Sequence, residues 1–235
     1  LMCPDYRYSP YKSSGNIPED FAAKAESLFA KMSSKMNDGV LVLVGDMDES
    51  DLRKALLPYV GGFRTKEALS RRTVVQYQPV SGSMTYKVKG DRDMMSVALS
   101  TRLPMTAENH MASEMAAMVL ERIVSDALKP YEVEVTLRHA RKIYPEERIS
   151  LMLVVRGNMS QDVYATIRRT VAAASEGEID AAYVAACKAY MKHKYAVQMT
   201  EPEYWLRATA MRYLDGKDYT TGYAARIDAV SESDI

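Results

Sequence analysis

Two apolar runs in the middle of the chain, residues 133–137 and 149–155, are joined by a short link that contains Tyr144-Pro145-Glu146-Glu147. That link constrains the fold more than any other feature. Parallel strands need a crossover of a dozen or more residues, usually a helix, whereas antiparallel strands can be joined by a turn. The first run alternates strictly, with Glu134 and Thr136 outward, and the second is mostly apolar. Upstream, residues 84–89 alternate (Met84, Tyr86 and Val88 against Thr85, Lys87 and Lys89), and 94–103 reads as a further strand that Pro104 ends. Within the polar stretch 64–83, residues 74–77 read as a short additional strand. Neighbouring strands with short links make antiparallel pairs.

Helical periodicity dominates the rest. Thr106 opens a long helix whose apolar stripe is Met111, Met115, Met118, Val119, Ile123 and Leu128. Helices follow over about 160–175, 179–197 and 201–214, the last stopped by Gly216, and Ser231-Glu232-Ser233-Asp234 caps a helix that the chain does not complete. Nearer the start, residues 1–17 form an extended lead-in rich in Pro, Tyr and Ser. Pro18-Glu19-Asp20 then opens a helix with Phe21, Ala25, Leu28, Phe29 and Met32 on one face, and Asn37-Asp38-Gly39 ends it. Residues 40–44 are a continuous Val and Leu run and read as a strand. Helices segregated from strands argue for a two-layer α+β sandwich, a mostly antiparallel sheet covered by helices, with further helices at the C-terminal end. Residues 18–235 read as a single domain. The chain opens on Leu1 rather than Met and closes at Ile235 on a helix start, so truncation at both ends is expected.

After residues 40–44, Asp46, Asp48, Glu49 and Asp51 crowd together. Such a cluster either holds a metal or starts a helix. A calcium-binding EF-hand loop needs Gly at its sixth position and Glu at its twelfth; counted from Asp46, those places hold Asp51 and Leu57. Asp48 instead suits a helix N-cap, with Glu49 and Asp51 in the first turn, where carboxylates meet the positive end of the helix dipole. Leu52, Leu56, Tyr59 and Val60 would then form the buried stripe, and Gly61-Gly62 the stop.

Charge gives no pull toward nucleic acid or anionic membrane, because 31 Lys and Arg balance 31 Asp and Glu in 235 residues. No stretch approaches the roughly 18 consecutive apolar residues of a membrane span. The two cysteines, Cys3 and Cys187, make no zinc framework, and a disulfide between them is not expected. Cys187, in an alanine-rich helix, reads as a small buried residue. His110 and Glu114 share a helix face at i,i+4, but two ligands fall short of a zinc site, and they read as a surface pair. His139 reads as following a strand, and His193 as lying in a late helix. Sixteen tyrosines against three phenylalanines suit a lined groove or an interface, since a phenol keeps one wet end.

Several strings, in order and spacing, resemble the pitrilysin/insulinase family of zinc peptidases, the inverzincins that include mitochondrial processing peptidase. "VLVLVGDMDESDLRKALLPYVGGF" resembles the family's strand ending V-G-[DN]-x-D and its following helix. "YPEERISLMLVV" fits a family turn and strand, and "EPEYWLRATAMRYLDGKDY" with "RIDAVSESDI" resembles its late helices. Family members pair homologous units, one of which carries H-x-x-E-H plus a distal Glu for zinc. This sequence contains no H-x-x-E-H. The resemblance therefore implies the other unit, over residues 18–235: zinc-free, catalytically silent, and forming half of a chamber that holds an extended peptide. It implies zinc in a homologous partner unit, in the same parent chain or another subunit, and no cofactor, metal ligand or catalytic residue here. Near the family's L-R-E-x-x-G-x-x-Y, which supplies a substrate-binding Arg and Tyr, this chain has "SDALKPYEVEV". That alignment gives Lys129 and Tyr131 as substrate-binding candidates across a shortened loop. Lys keeps the charge but lacks the bidentate fork of Arg. A helix end and a strand start are the structural alternative for the two residues. A non-enzymatic scaffold or peptide-binding module on the same fold is the alternative for the chain. The family's bacterial members are cytoplasmic, periplasmic or envelope-attached, so the resemblance leaves the compartment open and favours the periplasm or cell envelope only slightly over the cytoplasm.

Overall fold

The computed structural model describes residues 19–34, 39–61, 93–142 and 146–235. The expected lead-in, the strands at 74–77 and 84–89, Cys3, and the Asn37-Asp38 and Tyr144-Pro145 turns lie wholly or partly outside them. The chain divides between Gly82 and Ser83 into two compact units, and each is described by itself.

In the first unit, α1 spans Phe21–Ser33 and α2 spans Glu49–Val60. Asp48 is the N-cap of α2: its carboxylate accepts the Ser50 amide at 2.9 Å and the Asp51 amide at 3.3 Å. A hydrogen bond from the Ser50 side chain, with these two amide bonds, holds its carboxyl below the ordinary range. The acidic cluster thus does the work of a helix start. Two expectations fail here. Residues 40–44 carry no strand structure, because a strand needs a ladder partner and they have none among the described residues. The stripe expected to be buried on α2 is not, with Tyr59 76% exposed, and the apolar face of α1 is open as well, with Phe29 73% exposed.

The second unit is built on a three-stranded antiparallel sheet in the order β1-β3-β2, from β1 (Asp93–Arg102), β2 (Val133–Lys142) and β3 (Arg148–Gly157). Leu153 of β3 stands between Val97 of β1 and Leu137 of β2. The short link between β2 and β3 gives the antiparallel pair that its length demands. β2 runs beyond the expected stop at Leu137, so His139 lies inside the strand. Gly157 ends β3 at φ +139°, where a Cβ would meet the Glu132 carbonyl oxygen at 2.5 Å. No other residue fits that crossing.

One helix, α3 (Ala107–Ala127), organises the layers. The Thr106 hydroxyl caps it by accepting the Asn109 amide at 3.1 Å. On one side Leu120, Val124 and the following Leu128 pack on Leu153 and Val155 of β3 and on Val163 and Ile167 of α4 (Gln161–Ser175). On the other side Met111, Met115 and Val119 pack on Val184, Cys187 and Met191 of α5 (Ala181–Gln198) and on Ile227 of α7 (Tyr223–Ala229). Burying each such side chain stabilises by about 1.5–3 kcal/mol. The periodicity therefore places the stripe correctly, but it serves two cores. Between α5 and α7 runs α6 (Pro202–Asp215), ended by Gly216 in the left-handed conformation at φ 73°. Sequence reading missed α7, a short helix entered through Gly222 with no side-chain cap, although Tyr223, Ile227 and Val230 carry helical spacing. At the end, Ser231 and Asp234 cap each other's backbone amides around a single 3-10 turn.

Candidate functional site

The second unit holds two polar clusters at opposite ends of α3. At its C-terminal end, Leu128, Lys129 and Pro130 form the turn into β2. The Lys129 ammonium lies 2.8 Å from Asp126 and is 69% exposed. Asp126 also accepts the Tyr183 hydroxyl at 3.0 Å and Arg122 Nε at 3.2 Å. The Lys129 bond, with those from Tyr183 and Arg122, holds the Asp126 carboxyl below its usual range, and the same carboxylate pushes the Tyr183 phenol up.

A groove of about 870 Å³ runs along this face between α3 and α5, with Met118, Tyr183, Tyr190 and Cys187 along its apolar wall and Glu121, Arg122 and Asp126 at its rim. Burial pushes the Cys187 thiol up, which makes it a poor nucleophile at neutral pH. The Tyr131 ring goes elsewhere, half-buried against the core of α3, β3 and α4. The two substrate-binding candidates are therefore two residues apart in sequence but committed to different neighbours.

The second cluster sits at the N-terminal half of α3 and was not expected. His110 and Glu114 form no surface pair: their side chains are only 18% and 26% exposed, 4.0 Å apart. The His110 ring stacks at 5.8 Å on His139 of β2 and meets Tyr219 edge-on at 4.9 Å. Ser113 joins His139 Nε2 at 3.0 Å. The Arg141 guanidinium lies 4.5 Å from the centroid of the Tyr219 ring. Burial lowers the His110 pKa to about 4, aided by the nearby Arg141 charge and by His139, and it lowers that of His139 as well. Burial raises the Glu114 carboxyl.

The signal for this cluster was present in the sequence. The alternation Val133, Val135, Leu137 continues inward through His139 and Arg141, and ending the strand at Leu137 hid it.

Among the described residues no group of three or more His, Cys, Asp or Glu could hold a metal ion. His110 and Glu114 offer two ligands, one short of the three protein ligands of a catalytic zinc. The described residues do not fit a catalytic zinc, which the resemblance places in a partner unit. Among the described residues no helix is long and apolar enough to cross a membrane.

The sequence matches no protein-family model and no curated protein. Solved structures do match the fold. A protease from Helicobacter pylori superposes with a TM-score of 0.63 at 13% identity, over 81% of this chain and 49% of its own. The periplasmic protease PqqL from Escherichia coli gives 0.59 at 13% identity, over 81% and 22%. A protein described as a predicted insulinase family protease from Yersinia pestis gives 0.60 at 11% identity, over 81% and 46%. The α+β fold is thus that of insulinase-type, pitrilysin-like protease structures, and the chain spans less than half the length of each.

Proposed function

We propose that residues 18–235 are the zinc-free second unit of a pitrilysin-like metallopeptidase, forming half of the chamber that encloses an extended peptide. The observation that carries this reading is one of size and shape together. The fold likeness covers 81% of this chain but only 49% and 46% of two of the protease chains, about the share of one unit in a pair. A sequence without H-x-x-E-H supports a division of labour in which a partner unit supplies zinc and the general base. This chain contributes a wall. An extended peptide can add to an open sheet edge by main-chain pairing, and β1 and β2 are the outer strands of the described sheet. Lys129 stands at the mouth of β2 as a charge for the peptide, and Tyr131 fixes the start of that strand. The periplasmic description of PqqL supports the periplasm or envelope for this chain too.

The test is to purify the full-length protein, measure bound zinc and assay a quenched peptide with and without chelator. Stoichiometric zinc and chelator-sensitive cleavage are expected. A full-length protein and neighbouring genes without any H-x-x-E-H unit would overturn the peptidase assignment.

A second reading, a non-enzymatic scaffold on this fold, has one observation in its favour. The Lys129 ammonium is already held by Asp126, and the Tyr131 ring is packed on the core. Peptide binding without zinc and without cleavage would select it.

A further inference from the structure

The end of the α3–sheet interface is polar where the rest is aliphatic, and among the described residues the segment 215–223 covers it. On the helix-covered face of β2, Val135 and Leu137 give way to His139 and Arg141. Tyr219 seats the covering segment: its ring meets His110 and lies beneath Arg141, and its hydroxyl donates to the Met105 carbonyl at 3.3 Å. Glu147 accepts the Met105 amide at 2.7 Å and pairs with Lys217. From α5 the Tyr195 hydroxyl donates to the Thr220 carbonyl at 3.4 Å. Inside the seat, His110 Nδ1, Arg141 Nη1 and Asp215 Oδ2 are buried without a hydrogen-bond partner.

This arrangement tolerates neutral imidazoles and penalises charged ones. Protonating His110 and His139 would place three cations together, counting Arg141. The compensating acids are poorly placed: Asp215 accepts the Lys217 amide and acts on Tyr219, not on either imidazole. Glu114 stands 4.0 Å from His110 Nε2 and 3.9 Å from Lys194, and burial already biases it toward the neutral form, so acid removes its charge. Glu147 is engaged by Lys217, and Asp218 gives its oxygens to Thr220 and Thr221. Arg226 of α7 faces Glu108 at 3.4 Å rather than the imidazoles. Tyr204 and Tyr219, both pushed up to about 12, and Tyr223, pushed higher still, supply no charge.

We propose that residues 215–223 form an acid-opened latch: protonation of the His110–His139 pair expels the segment from its seat on α3 and β2 while the sheet stays folded. The latch stands whether or not the chain serves a peptidase.

Hydrogen exchange of the full-length protein, corrected for intrinsic rates, reads the latch directly. Between about pH 7 and about pH 5, protection of 215–223 should fall about twentyfold relative to residues 149–155 of β3. That ratio follows from an imidazole held near 4 when closed and returned to 6.5 when open. In His110→Gln the fall should shrink to the smaller step that His139 retains. Lys217→Met, which cuts the ion pair to Glu147 but keeps both imidazoles, should raise exchange at every pH and keep the acid step. The proposal is overturned if protection of 215–223 is independent of pH, if it falls in step with β3, or if His110→Gln keeps the full step. If His110→Gln does not fold, Lys217→Met decides: loss of the acid step assigns it to Glu147 and refutes the latch.

Discussion

Asp126 and Tyr183 join α3 to α5 through a hydrogen bond of 3.0 Å, and Lys129 closes on the same carboxylate from the outside at 2.8 Å. The geometry separates two roles that Lys129 could fill. As an exposed ion pair it contributes little to stability. Lys129→Ala should therefore leave the urea midpoint nearly unchanged. If Lys129 meets peptide in the assembled protein, the same substitution should raise KM with kcat unaltered. A clear loss of stability with unchanged KM would make the residue a helix-end support only.

Tyr131 should behave in the opposite way. Its ring packs on the core cluster that includes Leu128 and Val155, while its backbone amide donates to the Leu128 carbonyl at 2.9 Å. Tyr131→Phe keeps the ring and should keep stability. Tyr131→Ala opens the α3–β2 corner and should cost about 2 kcal/mol, read as a shift of the denaturation midpoint. A KM effect in Tyr131→Phe would show that the hydroxyl reaches substrate.

The helix α3 offers a test of the two-core packing. Met115 is fully buried toward α5 and α7, and Leu128 is 2% exposed toward the sheet and α4. Truncating either to Ala should cost about 2–5 kcal/mol. Because the two lie in separate clusters, the double variant should lose the sum of the two to within about 0.5 kcal/mol. Strong coupling between them would mean that the cores are one.

How far the sequence could be read follows from how each element is specified. Thr106, Ser160 and Gly216 carry local chemistry, and each sits where its type demands, as caps of α3 and α4 and as the left-handed end of α6. The antiparallel sheet was legible because a short link leaves no other geometry. Residues 40–44 misled because an apolar run records only hydrophobicity, whereas a strand also requires a neighbour. The polar seat was hidden for a related reason. The alternation of β2 carries His139 and Arg141 to the inner face, but what covers them is residues 215–223, far away in sequence, and no local pattern reports a distant cover. Lys129 and Tyr131 came from a resemblance, and their separate commitments to Asp126 and to the core are visible only in three dimensions.

Gly157 gives a sharp backbone test. A methyl group there meets the Glu132 carbonyl at 2.5 Å and must also hold φ at +139°. Gly157→Ala should cost about 1–3 kcal/mol from conformational strain alone. The loss should appear as a lowered midpoint and as faster exchange where β2 and β3 pair, near Val133. A neutral substitution would show that the strand end relaxes freely, which the close backbone contact opposes.

The buried imidazoles also fix the direction in which overall stability changes with pH. His110 is lowered from 6.5 to about 4 in the folded chain, chiefly by burial. Between those values the unfolded chain binds the extra proton, so stability rises with pH through the window and falls as acid is added. One such group gives a slope of up to about 1.4 kcal/mol per pH unit. His139 is lowered in the same sense and steepens the loss, whereas Glu114, raised by burial, offsets part of it as acid protonates it in the folded chain first. Urea melts of the full-length protein from about pH 7 down to about pH 4.5 should show the midpoint falling throughout. In His110→Gln the slope over the same range should flatten. A wild-type midpoint that holds constant or rises on acidification would mean that His110 gains a counter-charge in the folded protein, which the 4.0 Å gap to a readily neutralised Glu114 argues against.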